Sequence, residues 1–324
     1  MTIDVHSHLF VKEFQNDNAV SPFWYPGEHT SRNADEAYAE ARSRTEREAD
    51  SFDPDGSEHI RRMDDAGIDK TILLHLDYGL LFGEAEMSIE QQNKHVSDVA
   101  ATHPDRLIWF CGIDPRRPEA ISLLEKCVLQ LGAKGIKLYP TTGFLPADRE
   151  LYPFYERACE WKIPVTFHMG PENPPFYNQG NAHAAVLLRV LVDFPELTVI
   201  AAHLGFEFWR DLIALSKVCE NVMCDFSAWQ DIARQNYNKF CYILREFLDG
   251  FGQDRVMFGT DAPILEQSMS SREWVEVIEN LPSAGSPGKE MPSKAPQGSV
   301  FTESEIAAML DGNARRLLDS IPER

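Results

Sequence analysis

Thr2-Ile3-Asp4-Val5-His6-Ser7-His8 reads as a short apolar strand that runs straight into two histidines. A doubly wound open sheet usually follows its first strand with a glycine-rich phosphate loop, and no G-x-G-x-x-G stands here. Seven more apolar, β-rich runs follow: Lys70–His75, Leu107–Ile113, Ala133–Tyr139, Pro164–His168, Thr198–His203, Asn221–Asp225 and Arg255–Gly259. Near-continuous apolar runs suit strands covered on both faces. Helical spacing fills the gaps at Glu58–Ala66, Ile89–Thr102, Pro118–Leu131, Leu151–Trp161, Ala184–Phe194, Glu207–Cys219, Asn238–Leu248 and Arg272–Glu279. Strict alternation of eight strand–helix units predicts a single (β/α)8 TIM barrel over residues 1–324, with an open sheet as the alternative.

Two insertions depart from a minimal barrel. Residues 11–56, after the first strand, contain Phe23-Trp24-Tyr25-Pro26 and then a charged, helix-prone run. A βα connection of this length lies over the barrel mouth, which predicts a lid or substrate wall; a dimer contact or a decorative helix fits equally. Residues 281–300 read as an irregular excursion rich in Pro, Ser and Gly. A C-terminal helix over Glu303–Leu318 is announced by Thr302 with Glu305 three residues on, the pattern of a capping box.

The formal net charge is −20. A reader of nucleic acid concentrates Lys and Arg to neutralise phosphates, so that class is argued against. An anionic substrate would need a local cation inside this negative field. The six cysteines form no C-x-x-C pair and most lie in apolar runs, which predicts free thiols in a reducing compartment. No basic segment followed by an apolar one opens the chain, and no apolar run approaches the roughly 20 residues of a membrane span. The expectation is a soluble, cytoplasmic protein with a small-molecule substrate, no nucleic-acid or membrane partner, and homodimerisation left open.

The polar residues at the strand ends carry the chemistry. Alternate residues of a strand share a face, so His6 and His8 should point together into the mouth, spaced to chelate one metal ion. His168 follows Val165-Thr166-Phe167, His203 follows Val199-Ile200-Ala201-Ala202, and Asp261 follows Val256-Met257-Phe258-Gly259-Thr260. Each sits where an apolar run gives way to a Gly or Pro turn. One such histidine alone is more simply a satisfied structural residue. Four histidines and an aspartate at the ends of separate strands predict a shared metal site.

This pattern resembles the amidohydrolase superfamily, and more closely the amidohydrolase-related branch that includes aminocarboxymuconate semialdehyde decarboxylase-like proteins. The likeness rests on Ile3-Asp4-Val5-His6-Ser7-His8, Gly135-Ile136-Lys137-Leu138-Tyr139-Pro140, Phe258-Gly259-Thr260-Asp261 and Gly312-Asn313-Ala314-Arg315-Arg316-Leu317. The resemblance implies that His6, His8, His168 and Asp261 bind a divalent ion, zinc first by ligand chemistry, with manganese or iron also compatible. It implies further that Asp261 handles the proton of a metal-activated water and that His203 acts on the substrate as a polarising or proton-shuttling group. Lys137 is ambiguous. In binuclear relatives a lysine here is carboxylated and bridges two metals, with His168 and His203 on the second. The alternative is an unmodified lysine paired with Asp261 or a substrate carboxylate.

Other residues near the expected mouth are weaker candidates. His75, Asp77 and Tyr78 follow strand two and could shape the pocket or simply hold structure. Arg116 and Arg117 could meet an anionic substrate, although exposed helix-start arginines are the simpler reading. Asp225 could accept a hydrogen bond that orients His203 or a ligand. Trp24, Tyr25 and Trp229 could form an aromatic wall or pack in the core. His29, His59, His95, His103 and His183 fall in helices or loops and read as surface residues.

Two reactions fit this ligand set. The first is hydrolysis of a small amide, ester or lactone by metal-activated water. The second is non-oxidative decarboxylation of a small aromatic or unsaturated carboxylic acid. A non-catalytic barrel used as a scaffold is the third reading, against which the full ligand pattern argues.

Overall fold

The computed structural model describes residues 1–15, 52–170, 178–283 and 299–323. Eight parallel strands stand in sequence order: β1 (Ile3–Ser7), β2 (Lys70–Leu74), β3 (Leu107–Gly112), β4 (Ile136–Leu138), β5 (Val165–Phe167), β6 (Val199–Ala201), β7 (Val222–Asp225) and β8 (Val256–Met257). The seam between the last strand and the first is closed by backbone hydrogen bonds from Val5 to Phe258 (3.0 Å), Asp261 to His6 (2.8 Å) and His8 to Ala262 (2.7 Å). The sheet is thus a (β/α)8 barrel, as the alternation predicts. Most of the 11–56 insertion, with Trp24, Tyr25 and His29, lies outside the described residues, as do positions 284–298 of the excursion.

Packing follows the strand pleat. Ile72 and Leu74 of β2, Phe110 of β3, Ile200 of β6 and Met257 of β8 meet Ile3 and Val5 inside the barrel. Residues of the opposite parity, such as Leu73, Trp109, Phe167 and Val199, pack outward against the helices. Ala314 and Leu317 of the last helix join the inner cluster, so that helix helps to close the barrel interior. The capping box is present, with Thr302 and Glu305 bonded reciprocally at the start of Glu303–Ala307.

The last helix is not continuous as expected. A π turn over Ala308–Gly312 separates Glu303–Ala307 from Asn313–Ser320. The widened turn releases a carbonyl from the helical ladder, and Met309 O accepts from Phe258 N at 2.9 Å. Asn313 then donates to Val256 O at 2.7 Å and Gln253 O at 2.8 Å. The helix is bent in order to be stitched to β8. The expected helix over Ala184–Phe194 likewise begins as a 3-10 turn, Ala184–Leu187, before the α-helix Leu188–Asp193. Two short helices, Gly79–Phe82 and Gln230–Gln235, were not anticipated.

Two surface assignments are corrected. His59 is 3% exposed; its Nε2 lies 3.3 Å from Ser7 Oγ, under the outward side of β1. Arg117 is 8% exposed. Its guanidinium grips Asp77 through Nε (2.6 Å) and Nη2 (2.8 Å) and reaches Glu84 through Nη1 (2.7 Å). A planar fork against a carboxylate is the geometry in which an ion pair tolerates burial. Arg117→Ala would leave Asp77 buried without its counter-ion, and should lower unfolding free energy by about 3 kcal/mol in denaturant titration. A loss below about 1 kcal/mol would mean that the pair is no more than a solvated surface contact.

Candidate metal centre

β1 does not alternate to its end. Its register against β2 shifts between Asp4 and Ser7, and a bulge of this kind re-aims a side chain. Val5 faces the inner cluster, and its neighbour His6 also turns inward, where Nε2 lies 3.5 Å from Asp261 Oδ1. Gly259 makes the room, since a Cβ there would stand 2.9 Å from the Cβ atoms of both His6 and Ser227. Asp4, which sequence reasoning passed over, fastens the same edge. Its carboxylate accepts from His6 N (3.1 Å), Thr260 N (3.0 Å) and Thr260 Oγ1 (2.6 Å). Burial lifts its pKa to about 7 against the pull of the Thr260 hydrogen bond.

The hydrogen-bond network assigns the imidazole tautomers. His8 Nδ1 lies 2.7 Å from Leu74 O, which can only accept, so Nδ1 carries the proton. His6 Nδ1 lies 3.0 Å from Asp225 Oδ2 and is protonated for the same reason. In the neutral rings both Nε2 lone pairs then aim at one carboxylate oxygen, Asp261 Oδ1, at 3.1 Å from His8 and 3.5 Å from His6. Three acceptors that share a point repel unless positive charge meets them; Lys137 Nζ approaches one, His6 Nε2, at 3.3 Å, and a bound ion would meet all three. The three donor atoms fall within 4.8 Å of one another, and two imidazoles with a carboxylate suit a divalent transition metal. This donor set could hold such an ion.

The carboxylates are prepared for that role. Burial alone would raise the Asp261 carboxyl, but the close imidazoles of His8, His6 and His203 hold it well below the usual carboxylate range. Asp225 is also held low despite its burial, through the charge and hydrogen bond of His6. His6 is pushed down to about 4, by burial first and then by the Lys137 ammonium, against the pull of Asp225. Lys137 Nζ lies 3.3 Å from His6 Nε2.

His203 stands beyond β6, in a left-handed turn rather than at the strand's end. His203, Leu204 and Phe206 have φ of 60°, 51° and 46°, conformations that cost non-glycine residues about 1–3 kcal/mol each and cluster at functional sites. The ring is held from several sides. Ser227 Oγ donates to Asp225 Oδ1 (2.5 Å) and must therefore accept from His203 Nδ1 (2.8 Å). His203 N donates to Asp225 Oδ1 (3.2 Å), and Trp229 Nε1 donates to His203 O (2.7 Å). His203 Nε2 is then an acceptor and takes His168 Nδ1–H at 3.2 Å. Burial, then the nearby His6, drives the His203 pKa well below the imidazole value.

Of the residues singled out in the sequence, His6, His8 and Asp261 come together directly. His168 is drawn instead to His203, outside the three-atom cluster, with its ring stacked on Tyr139 at 4.4 Å. Asp225 proves central, because it orients both His6 and His203. Trp229 is buried and acts through its indole N–H. Asp77 is absorbed by Arg117, whereas His75 and Tyr78 line the mouth beside His8. Ser227 carried no sequence signal beyond lying two residues after Asp225.

Fold and site together define a (β/α)8-barrel enzyme with an imidazole–carboxylate centre. A sequence model of the amidohydrolase family matches residues 3–319, and the chain belongs to that family. Solved structures with the same fold include 5-carboxyvanillate decarboxylase from Sphingomonas paucimobilis, at TM-score 0.66 and 16% identity over 98% of each chain. Another is a dihydroxybenzoic acid decarboxylase from Polaromonas sp. JS666 with bound manganese and the inhibitor 2-nitroresorcinol, at TM-score 0.65 and 19% identity over 99% of this chain and 98% of that one. At these identities the likeness is one of fold. A 2-keto-4-carboxy-3-hexenedioate hydratase from Sphingobium sp. is 33% identical over 134 residues, a match that spans only 35% of this chain and 39% of the relative.

Replacing Asp225 tests its orienting role. Asp225→Ala should weaken manganese or zinc binding about 10–100-fold in metal titration, the usual cost of losing a carboxylate behind a histidine ligand. Asp261→Ala and His6→Ala should lower metal content directly, read as metal per chain by elemental analysis. Wild-type content in both variants would remove them from the ligand set.

Proposed function

We propose that this chain is a divalent-metal-dependent, non-oxidative decarboxylase of a small aromatic or unsaturated carboxylic acid. Lys137 carries the reading. In a protein of net charge −20, its ammonium is buried at the mouth, 2% exposed, beside the imidazole of His6. A carboxylate is the substrate group that such a seat suits, and it meets the need for a local cation in a negative field. Two solved neighbours are named as decarboxylases of aromatic acids, which favours this reaction; the partial relative named as a hydratase speaks only for an unsaturated carboxylate as substrate.

His6, His8 and Asp261 would hold the cation, which when bound would stabilise negative charge on substrate oxygens as a Lewis acid. Zinc and manganese both suit these donors, and manganese is the ion in the Polaromonas enzyme. Lys137 orients the substrate carboxylate. In the reaction the bond from carbon to carboxylate breaks, carbon dioxide leaves, and the electron pair left on carbon takes a proton. A solvent water supplies that proton, relayed by Asp261, held as a carboxylate, or His203, held as a neutral imidazole, and the hydroxide left behind joins the carbon dioxide as bicarbonate. Tyr78 and Tyr139, edge to face at 5.3 Å, and Phe206, stacked on His203 at 5.1 Å, offer aromatic surfaces to a flat substrate.

Hydrolysis of a small amide, ester or lactone, placed first on the sequence alone, is the second reading. The observation in its favour is the position of the Asp261 carboxylate beside His6 and His8, where it could take a proton from attacking water.

The two separate in one experiment. Manganese- or zinc-loaded protein is offered hydroxylated benzoic acids and, in parallel, esters and lactones. Carbon dioxide release from the acids is expected; cleavage of esters or lactones without carbon dioxide would reverse the order. His203→Ala should keep its metal while kcat falls about 10²–10⁴-fold, the range of a lost acid–base group. Metal loss in that variant would make His203 a ligand instead.

A further inference from the structure

Beside His8 the barrel mouth opens into a cavity, partly open to solvent, walled by Phe10, Phe14, His75, Tyr78 and Phe82. Among its described lining residues there is no Asp, Glu, Lys or Arg. Phe14 stands edge-on to His75 at 5.3 Å, and Tyr78 leans on Phe82 at 6.0 Å. A second, smaller cavity on the side of β3 and β4 is lined instead by Asp77, Asp114, Lys137 and Thr142. The mouth is therefore polarised, charged toward β4 and uncharged and aromatic toward β1 and β2.

The uncharged wall is held rigidly from behind. Tyr78 and Phe82 flank or belong to the short helix Gly79–Phe82, and Asp77 and Glu84 on either side of it both bind Arg117. Asp77 also accepts from Gly79 N at 3.1 Å. The clamp leaves no slack, since a Cβ on Gly79 would stand 2.3 Å from Arg117 Nη2.

We propose that this cavity is a specificity pocket that receives an uncharged, planar, apolar substituent of the substrate and turns away a second carboxylate. The inference rests on the decarboxylase reading only for the substrate's acid group, which is directed to the Lys137 side. Away from His8, a second carboxylate in the aromatic cavity would lose its hydration with no Lys or Arg among the described lining residues to replace it. An aryl group there gains burial and ring contacts.

Calorimetric titration of the manganese-loaded full chain with benzoate, 3-phenylbenzoate and benzene-1,3-dicarboxylate tests this, because these unhydroxylated acids report binding apart from turnover. The phenyl compound should bind about tenfold tighter than benzoate, and the dicarboxylate no tighter than benzoate. Ala85, on the partly exposed rim of the cavity, is the place to reverse the polarity. Ala85→Lys should tighten dicarboxylate binding about tenfold relative to benzoate. The inference is overturned if the dicarboxylate matches the phenyl compound in the wild type, if Ala85→Lys leaves their ratio unmoved, or if none of the three binds. A phenyl preference without carbon dioxide release from hydroxylated acids would uphold the pocket and defeat the decarboxylase reading; carbon dioxide release without that preference would do the opposite.

Discussion

Two imidazole lone pairs and one carboxylate oxygen are aimed at a common point, and the rest of the site is arranged to keep them there. Because His8 Nδ1 is committed to Leu74 O and His6 Nδ1 to Asp225, neither ring can turn a proton toward Asp261 without losing a buried partner. The Lys137 ammonium meets only one of these acceptors, His6 Nε2, whereas a divalent ion could meet all three, so the arrangement favours one. Around this centre the barrel supplies rigidity. Asp4 ties β1 to Thr260, Gly259 leaves space for His6, and the π turn in the last helix stitches Met309 to β8.

Asp225 joins the two halves of the centre. One of its oxygens holds His6, and the other takes the backbone of His203 and the hydroxyl of Ser227. Through Ser227 it also sets the tautomer of His203, which in turn receives the N–H of His168. One buried carboxylate thus orients His6 on β1 and His203 after β6. Removing its charge would disturb both, which is why such outer partners weigh nearly as much as the ligands themselves.

Charge divides the mouth. Lys137 introduces a cation on the β4 side, whereas the described walls near β1 and β2 are aromatic and uncharged. In a strongly acidic protein these local exceptions, rather than the net charge, decide which way a charged substrate lies. Arg117, buried against Asp77, serves the wall and not the ligand; its charge is already spent inside the protein.

The fold was legible in the residues because burial on both faces leaves a simple mark: eight apolar runs separated by helical spacing, most of them ending in a polar residue. His6, His8 and Asp261 were legible for the same reason, as polar groups where apolar strands stop. What the chain did not disclose depends on contacts between distant segments. Alternation placed His6 inward, but it is a bulge that allows Val5 and His6 to face inward together. His59 and Arg117 looked like surface groups because local spacing carries no information about a partner 40 or more residues away. Asp4 and Ser227 gave no signal because they act on neighbours brought in by barrel closure. The amino-acid sequence by itself determined the barrel and the chemical types at its rim, since both follow from local patterns of hydrophobicity. Only the tertiary structure decided which nitrogen of each ring carries its proton, which carboxylate faces which imidazole, and where the mouth is charged, because those depend on distances that exist only after the strands have closed on one another.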